Sequence, residues 1–135
     1  MTKQTVVLDF DGVLHSYTSG WKGATIIPDP PVDGAQAFCQ ALLRDFDVII
    51  VSTRCSQSGG PKAIEQWLLD YYFPFTQGFT LGLQVSQDGV KPPSILTIDD
   101  RSWCFTGVWP TIEAIKTFQL WTKLINKPPA DGTCY

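Results

Sequence analysis

An α/β fold built around a parallel sheet is what this sequence predicts, and two observations carry the prediction. Apolar runs of strand length, Thr5–Leu8, Val48–Val51 and Ser94–Ile98, alternate with stretches of helical period. The first two runs are continuously apolar, as expected of strands covered on both faces. Together they imply a three-layer Rossmann-like sandwich with a central parallel sheet, whose ligand crevice lies at the C-terminal ends of the strands.

The first strand runs straight into Asp9, Phe10, Asp11 and Gly12. Two aspartates flanking one residue on a strand share a face, and carboxylates that close repel unless a cation lies between them. A hard divalent ion suits them. Mg²⁺ prefers carboxylate oxygens, keeps several waters and bridges to phosphate, so a phosphorylated ligand is expected here. Gly12 would let backbone N–H groups approach that ligand. Residues 15–31 then carry Gly20, Gly23, Pro28, Pro30 and Pro31, which break regular structure. With Tyr17, Trp21, Ile26 and Ile27 they suggest a hairpin-like flap over the crevice, too short to be a cap domain. His15, the single histidine, reads as a polar flap residue, and Trp21 as a flap-packing residue with substrate contact as the alternative.

From Asp33, a candidate N-cap, the pattern turns helical to about Arg44, with Ala37, Phe38, Ala41 and Leu42 on one face and Cys39 in the core. The second strand ends in Ser52, Thr53 and Arg54, two hydroxyls and a cation. Pro61 suits the first turn of a second helix, whose periodic face holds Ile64, Trp67, Leu68 and Tyr71. Phe75, Phe79, Leu81, Leu83 and Val85 alternate between glycines, which places a short third strand at Leu83–Ser86. Lys91 precedes Pro92, Pro93 and the fourth strand, which ends in Asp99, Asp100 and Arg101. A last helix is expected over Thr111–Ile125, with Ile112, Ile115, Phe118 and Leu120 turned inward and Trp103 and Trp109 packing nearby. Residues 1–127 would form one domain, and 128–135 a tail with little means of packing.

Composition narrows the classes. At 135 residues, 44% hydrophobic and 17% charged, the chain suits a single soluble domain. No apolar run approaches the ~18 residues of a membrane span, and Met1–Gln4 lead into the strand without a leader, so cytoplasmic residence and no membrane partner are expected. Four cysteines without CxxC spacing read as thiols, with Cys55 accessible beside the crevice. A net charge of −3 argues against an extended duplex-binding surface, while a phosphorylated chain end stays compatible. Glycine fingerprints of dinucleotide or Walker type are absent from the sequence.

Taken in order, Asp9-Phe10-Asp11-Gly12, Ser52 or Thr53, Lys91, and Asp99-Asp100 resemble the four motifs of the haloacid dehalogenase-like superfamily of phosphotransferases. The resemblance spans about Val6 to Trp109. It implies a Mg²⁺-dependent phosphomonoesterase in which Asp9 attacks the phosphoryl group and water later hydrolyses the aspartyl-phosphate. It implies Asp11 as general acid and then base, Ser52 as a hydrogen-bond donor to phosphate and Lys91 as a neutralising charge. Asp9, Asp11 and Asp100 would hold the ion, with Asp99 as the alternative direct ligand or an orienting group. The Ser52-Thr53-Arg54 and Ile98–Arg101 stretches also resemble the 3′-phosphatase domain of polynucleotide kinases, which implies substrate binding by Arg54, with Thr53 the alternative to Ser52 as the phosphate-binding hydroxyl. As a whole, the chain is similar to small capless members from bacteria and phages. The substrate would then be a nucleotide, a sugar phosphate or a polynucleotide-end phosphate, and an open crevice leaves room for a homo-oligomeric cover. Two other readings stay open: a catalytically silent metal- and phosphate-binding regulatory module of the same fold, and a phosphotransferase to an acceptor other than water.

Overall fold

At the centre of the sheet lies β1 (Gln4–Leu8), and its last three residues, Val6, Val7 and Leu8, are buried. The computed structural model describes residues 3–75 and 82–123, which divide into two compact units, Met1–Ile98 and Asp99–Tyr135. The first unit is mixed α/β: β1, α1 (Ala35–Asp45), β2 (Phe46–Ile50), α2 (Gly60–Asp70), β3 (Gln84–Val85) and β4 (Leu96–Ile98). Its four strands are all parallel, in the order β3-β2-β1-β4, an arrangement compatible with a Rossmann-like fold.

Register decides where the strands stop. Leu8 lies level with Ile50 of β2 and Ile98 of β4, so three adjacent strands end together. The residues that follow, Asp9, Val51 and Asp99, therefore leave a common edge of the sheet. Asp9 N–H still donates to Ile98 C=O (2.9 Å) and Val51 N–H to Leu8 C=O (2.9 Å), so the ladder extends one residue past the strands.

The core joins the sheet to α1 and α2. Phe10, Leu14, Cys39, Ile64, Leu68 and Leu83 are fully or almost fully buried, with Trp67 among the aromatic rings of Phe10, Tyr71 and Phe73. α1 meets the expected boundaries but turns a different face inward. Ala35 and Cys39 are buried and Leu42 packs on the core, whereas Ala37, Phe38 and Ala41 face solvent. Its cap is Gly34 rather than Asp33: the backbone there is left-handed (φ 83°), and no side chain caps the first turn. The helix then passes without a loop into β2, which starts at Phe46, whose N–H donates to Leu42 C=O.

Residues 16–30 form no strand, and the flap is closed at its base by an antiparallel His15–Pro31 bridge and by the Ser16 N–H donating to Pro30 C=O (2.9 Å). Phe75 bridges to Leu83. The expected alternation at Phe79 and Leu81 lies outside the described residues, as do Cys134, the end of the last helix and the 128–135 tail. Cys39, Cys55 and Cys104 are free thiols, as expected, but Cys55 is buried rather than accessible, because the 3-10 turn Thr53–Ser56 tucks it inward.

The second unit is built differently. α3 covers only Ile112–Lys116, with Thr111 Oγ1 accepting the Ala114 N–H, and a 3-10 turn follows at Trp121–Lys123. No described residue of this unit is buried: Ile112 and Ile115 are exposed, and Trp103 and Trp109 are 44% and 81% exposed instead of packed. A five-residue helix without a buried face has little to extend it, which accounts for its stopping well before Ile125. Among the described residues, no helix is long and apolar enough to cross a membrane.

Candidate active site at the strand ends

Polar side chains leave the shared edge from three neighbouring strands. After β1 the chain turns at once: Gly12 adopts φ 81°, which favours glycine, and its N–H donates to His15 C=O (2.8 Å). That N–H, expected to face a ligand, instead closes the turn. Phe10, between the two aspartates, is wholly buried and anchors them to the core. Asp9 itself is half-buried.

The Asp11 carboxylate is held by two neighbours, Arg54 and His15. Arg54 Nε donates to its Oδ2 (2.9 Å) and Arg54 Nη2 to its Oδ1 (3.0 Å), and His15 Nδ1 lies 2.8 Å from Oδ1. The cation that balances Asp11 is thus the protein's own guanidinium. Burial pushes the Asp11 carboxyl up, but the hydrogen bonds from His15 and Arg54 and the charge on Arg54 outweigh it and hold the group below the usual carboxylate range.

Arg54 is fully buried and does more than pair with Asp11. Its Nη1 donates to the carbonyls of Gly23 (2.8 Å), Ala24 (3.0 Å) and Ile26 (3.2 Å) in the flap, and its guanidinium carbon lies 4.7 Å from the centre of the Trp21 ring. The residue expected on substrate therefore ties the flap to Asp11. Gly60 lies against the Arg54 backbone, where a Cβ would come 1.7 Å from the Arg54 carbonyl oxygen.

Sequence reasoning missed a second set of partners. His15 is fully buried, stacked on Phe10, and its Nε2 accepts the Asp29 N–H (3.1 Å). A nitrogen that accepts carries no proton, which assigns the hydrogen to Nδ1 and makes His15 the donor to Asp11. Asp29 accepts from Ser19 N–H (2.8 Å) and Ser19 Oγ (2.6 Å), while its carbonyl accepts the Trp67 indole N–H (3.0 Å). Burial raises the Asp29 carboxyl, and the Ser19 bonds bring it below its ordinary value. The sequence offered only a lone histidine four residues after Asp11 and an aspartate between two prolines.

At the end of β2, Ser52 is buried and its Oγ accepts the Arg54 N–H (3.2 Å). A hydroxyl that accepts one bond keeps its own proton to donate. Thr53 is exposed on the 3-10 turn. Burial pushes the Cys55 thiol up, against a backbone bond at Ser52, and the charges of Asp88 and Asp9 push it further in the same direction. A cleft of about 520 Å³ opens beside it, lined by Cys55–Gly59, Pro61, Lys62, Gln87 and Asp88. Lys91 is exposed on the connection from β3 to β4, two residues after Gly89, which abuts Ser56 and the Ser52 carbonyl.

Asp99 and Asp100 open the second unit directly after Ile98. Each is half-buried, and they offer carboxylate oxygens within 4.8 Å of each other. Asp99 Oδ1 accepts the Arg101 N–H (2.9 Å). Carboxylate oxygens alone make a hard donor set, suited to a hard divalent cation rather than to softer metals. Comparison of the chain with protein-family models, curated proteins and solved structures returns no match.

Proposed function

We propose that this protein is a Mg²⁺-dependent phosphomonoesterase of the haloacid dehalogenase-like kind, with a three-layer Rossmann-like domain and an aspartyl-phosphate intermediate on Asp9. The observation that carries the reading is the register: Leu8, Ile50 and Ile98 end level, and Asp9, Ser52 and Asp99-Asp100 follow within two residues. Topology alone brings the acidic and hydroxyl motifs to one edge, the place where parallel α/β sheets bind ligands.

Asp9, which follows β1, and Asp99 and Asp100, which follow β4, are the carboxylates we assign to the ion. Mg²⁺, when bound, would screen the phosphate charge that otherwise opposes an approaching carboxylate. Asp9 then bonds to phosphorus as the ester oxygen leaves, and water later splits the acyl phosphate to release inorganic phosphate. Asp11 handles the proton, given to the leaving oxygen and taken back from the attacking water. Arg54 and His15 hold its carboxylate in place. Because Arg54 and His15 already occupy its carboxylate, we assign Asp11 the proton transfer and leave it out of the ion set in which the sequence predicts it. Ser52 has a hydroxyl proton to give to a phosphoryl oxygen, and Lys91 supplies a charge from the crevice edge.

Trapping tests the assignment of the nucleophile. Rapid quenching of wild-type protein during turnover of an aryl phosphate, followed by borohydride reduction, should convert Asp9 to homoserine, read by peptide mass spectrometry. Reduction at another carboxylate would move the nucleophile elsewhere.

A further inference from the structure

The flap carries an aromatic side chain that the proposed chemistry does not use. We infer that Trp21 is the specificity-determining platform of the crevice, stacking on the base of a nucleoside monophosphate whose phosphate is held at Asp9. The inference rests on the phosphatase reading and narrows its substrate from phosphomonoesters in general to nucleotides.

Three observations converge. Trp21 is 46% exposed, although it belongs to a segment anchored to a buried residue. One face of its ring lies 4.7 Å from the Arg54 guanidinium carbon, and that guanidinium is immobilised by Asp11 and by the carbonyls of Gly23, Ala24 and Ile26. A ring fixed on one face offers the other as a flat surface already ordered for a planar partner, so little rotamer freedom is lost on binding. Position completes the case: one guanidinium separates the ring from the carboxylate of Asp11, which follows Asp9 by two residues.

The flap also meets a cleft. The flap's Thr25 abuts Gly59, where an added Cβ would lie 2.9 Å from its methyl carbon, and Gly59 lines the cleft of about 520 Å³. The flap thus borders the cleft instead of sealing it. A net charge of −3 gives no cationic track for a long strand, which favours a free nucleotide over a polynucleotide end.

Binding measured without turnover tests this. In Asp9→Asn protein with Mg²⁺, adenosine 5′-monophosphate and ribose 5-phosphate present the same phosphate and differ only in the base. The nucleotide should bind about 10- to 100-fold more tightly, and should shift the indole N–H signal of Trp21, assigned through Trp21→Phe. Trp21→Ala should bring the ratio close to one, while Trp21→Phe keeps most of it. Tighter binding of a 3′-phosphorylated trinucleotide with the same indole shift would support the platform and place the base on a strand end. Equal binding of nucleotide and sugar phosphate with an unmoved Trp21 signal would overturn the platform and leave the phosphatase reading standing. Binding of neither would overturn both.

Discussion

Arg54 is the residue on which the local architecture turns. Its guanidinium, itself fully buried, meets Asp11 on one side and three flap carbonyls on the other. Removing one partner of a buried ion pair leaves the other charge uncompensated, which costs about 3–5 kcal/mol. Arg54→Met should therefore lower unfolding free energy in urea by that amount, and loosening of the flap should show as faster amide exchange at residues 23–26. A loss below about 1 kcal/mol would mean that the network contributes little.

Asp11 makes the second residue-scale prediction. Its carboxyl is held below 3.8 in the folded protein, so the unfolded chain takes up the proton first as pH falls. The stabilisation is complete above that ordinary value and is lost as pH falls through the lowered one. Urea midpoints should thus drop between about pH 5 and about pH 2, and Asp11→Asn should flatten part of the drop. Asp29 and Asp88, shifted the same way, contribute to the rest. Asp11 and Arg54 were both legible in the sequence as site residues, but their pairing was not. A strand-end motif shows which residues reach an edge, whereas the hydrogen bonds among them depend on a turn and a flap with no periodicity to read.

Elements reveal the same division. β1 and β2 could be read because a strand buried on both faces leaves an uninterrupted apolar run, and α2 because Pro61, Ile64, Trp67 and Leu68 keep helical spacing. The face of α1 was misread because alanines are uninformative: Ala35 is buried while Ala37 and Ala41 are not. α3 was overextended because its apolar residues have helical spacing without a buried face to pack. At element scale the sharpest expectation concerns two glycines. Gly60→Ala would drive a Cβ into the Arg54 carbonyl at the start of α2, and should destabilise by at least about 3 kcal/mol. Gly34→Ala meets open space and carries only the strain of its left-handed backbone, about 1–2 kcal/mol. Thermal or urea unfolding of the two variants should rank them in that order, and the reverse order would remove Gly60 from its role beneath Arg54.

At the scale of the molecule, a four-stranded parallel sheet gathers groups that are far apart in sequence onto one edge, and the chemistry we propose depends on that gathering. The most direct test is phosphate release from an aryl phosphate and a panel of nucleotides and sugar phosphates, by wild-type and Asp9→Asn protein, with Mg²⁺ and with EDTA. Wild-type protein with Mg²⁺ should turn over, and either Asp9→Asn or EDTA should reduce the rate by at least about 1,000-fold. Folded wild-type protein silent across the whole panel, or Asp9→Asn protein as active as wild type, would contradict the account.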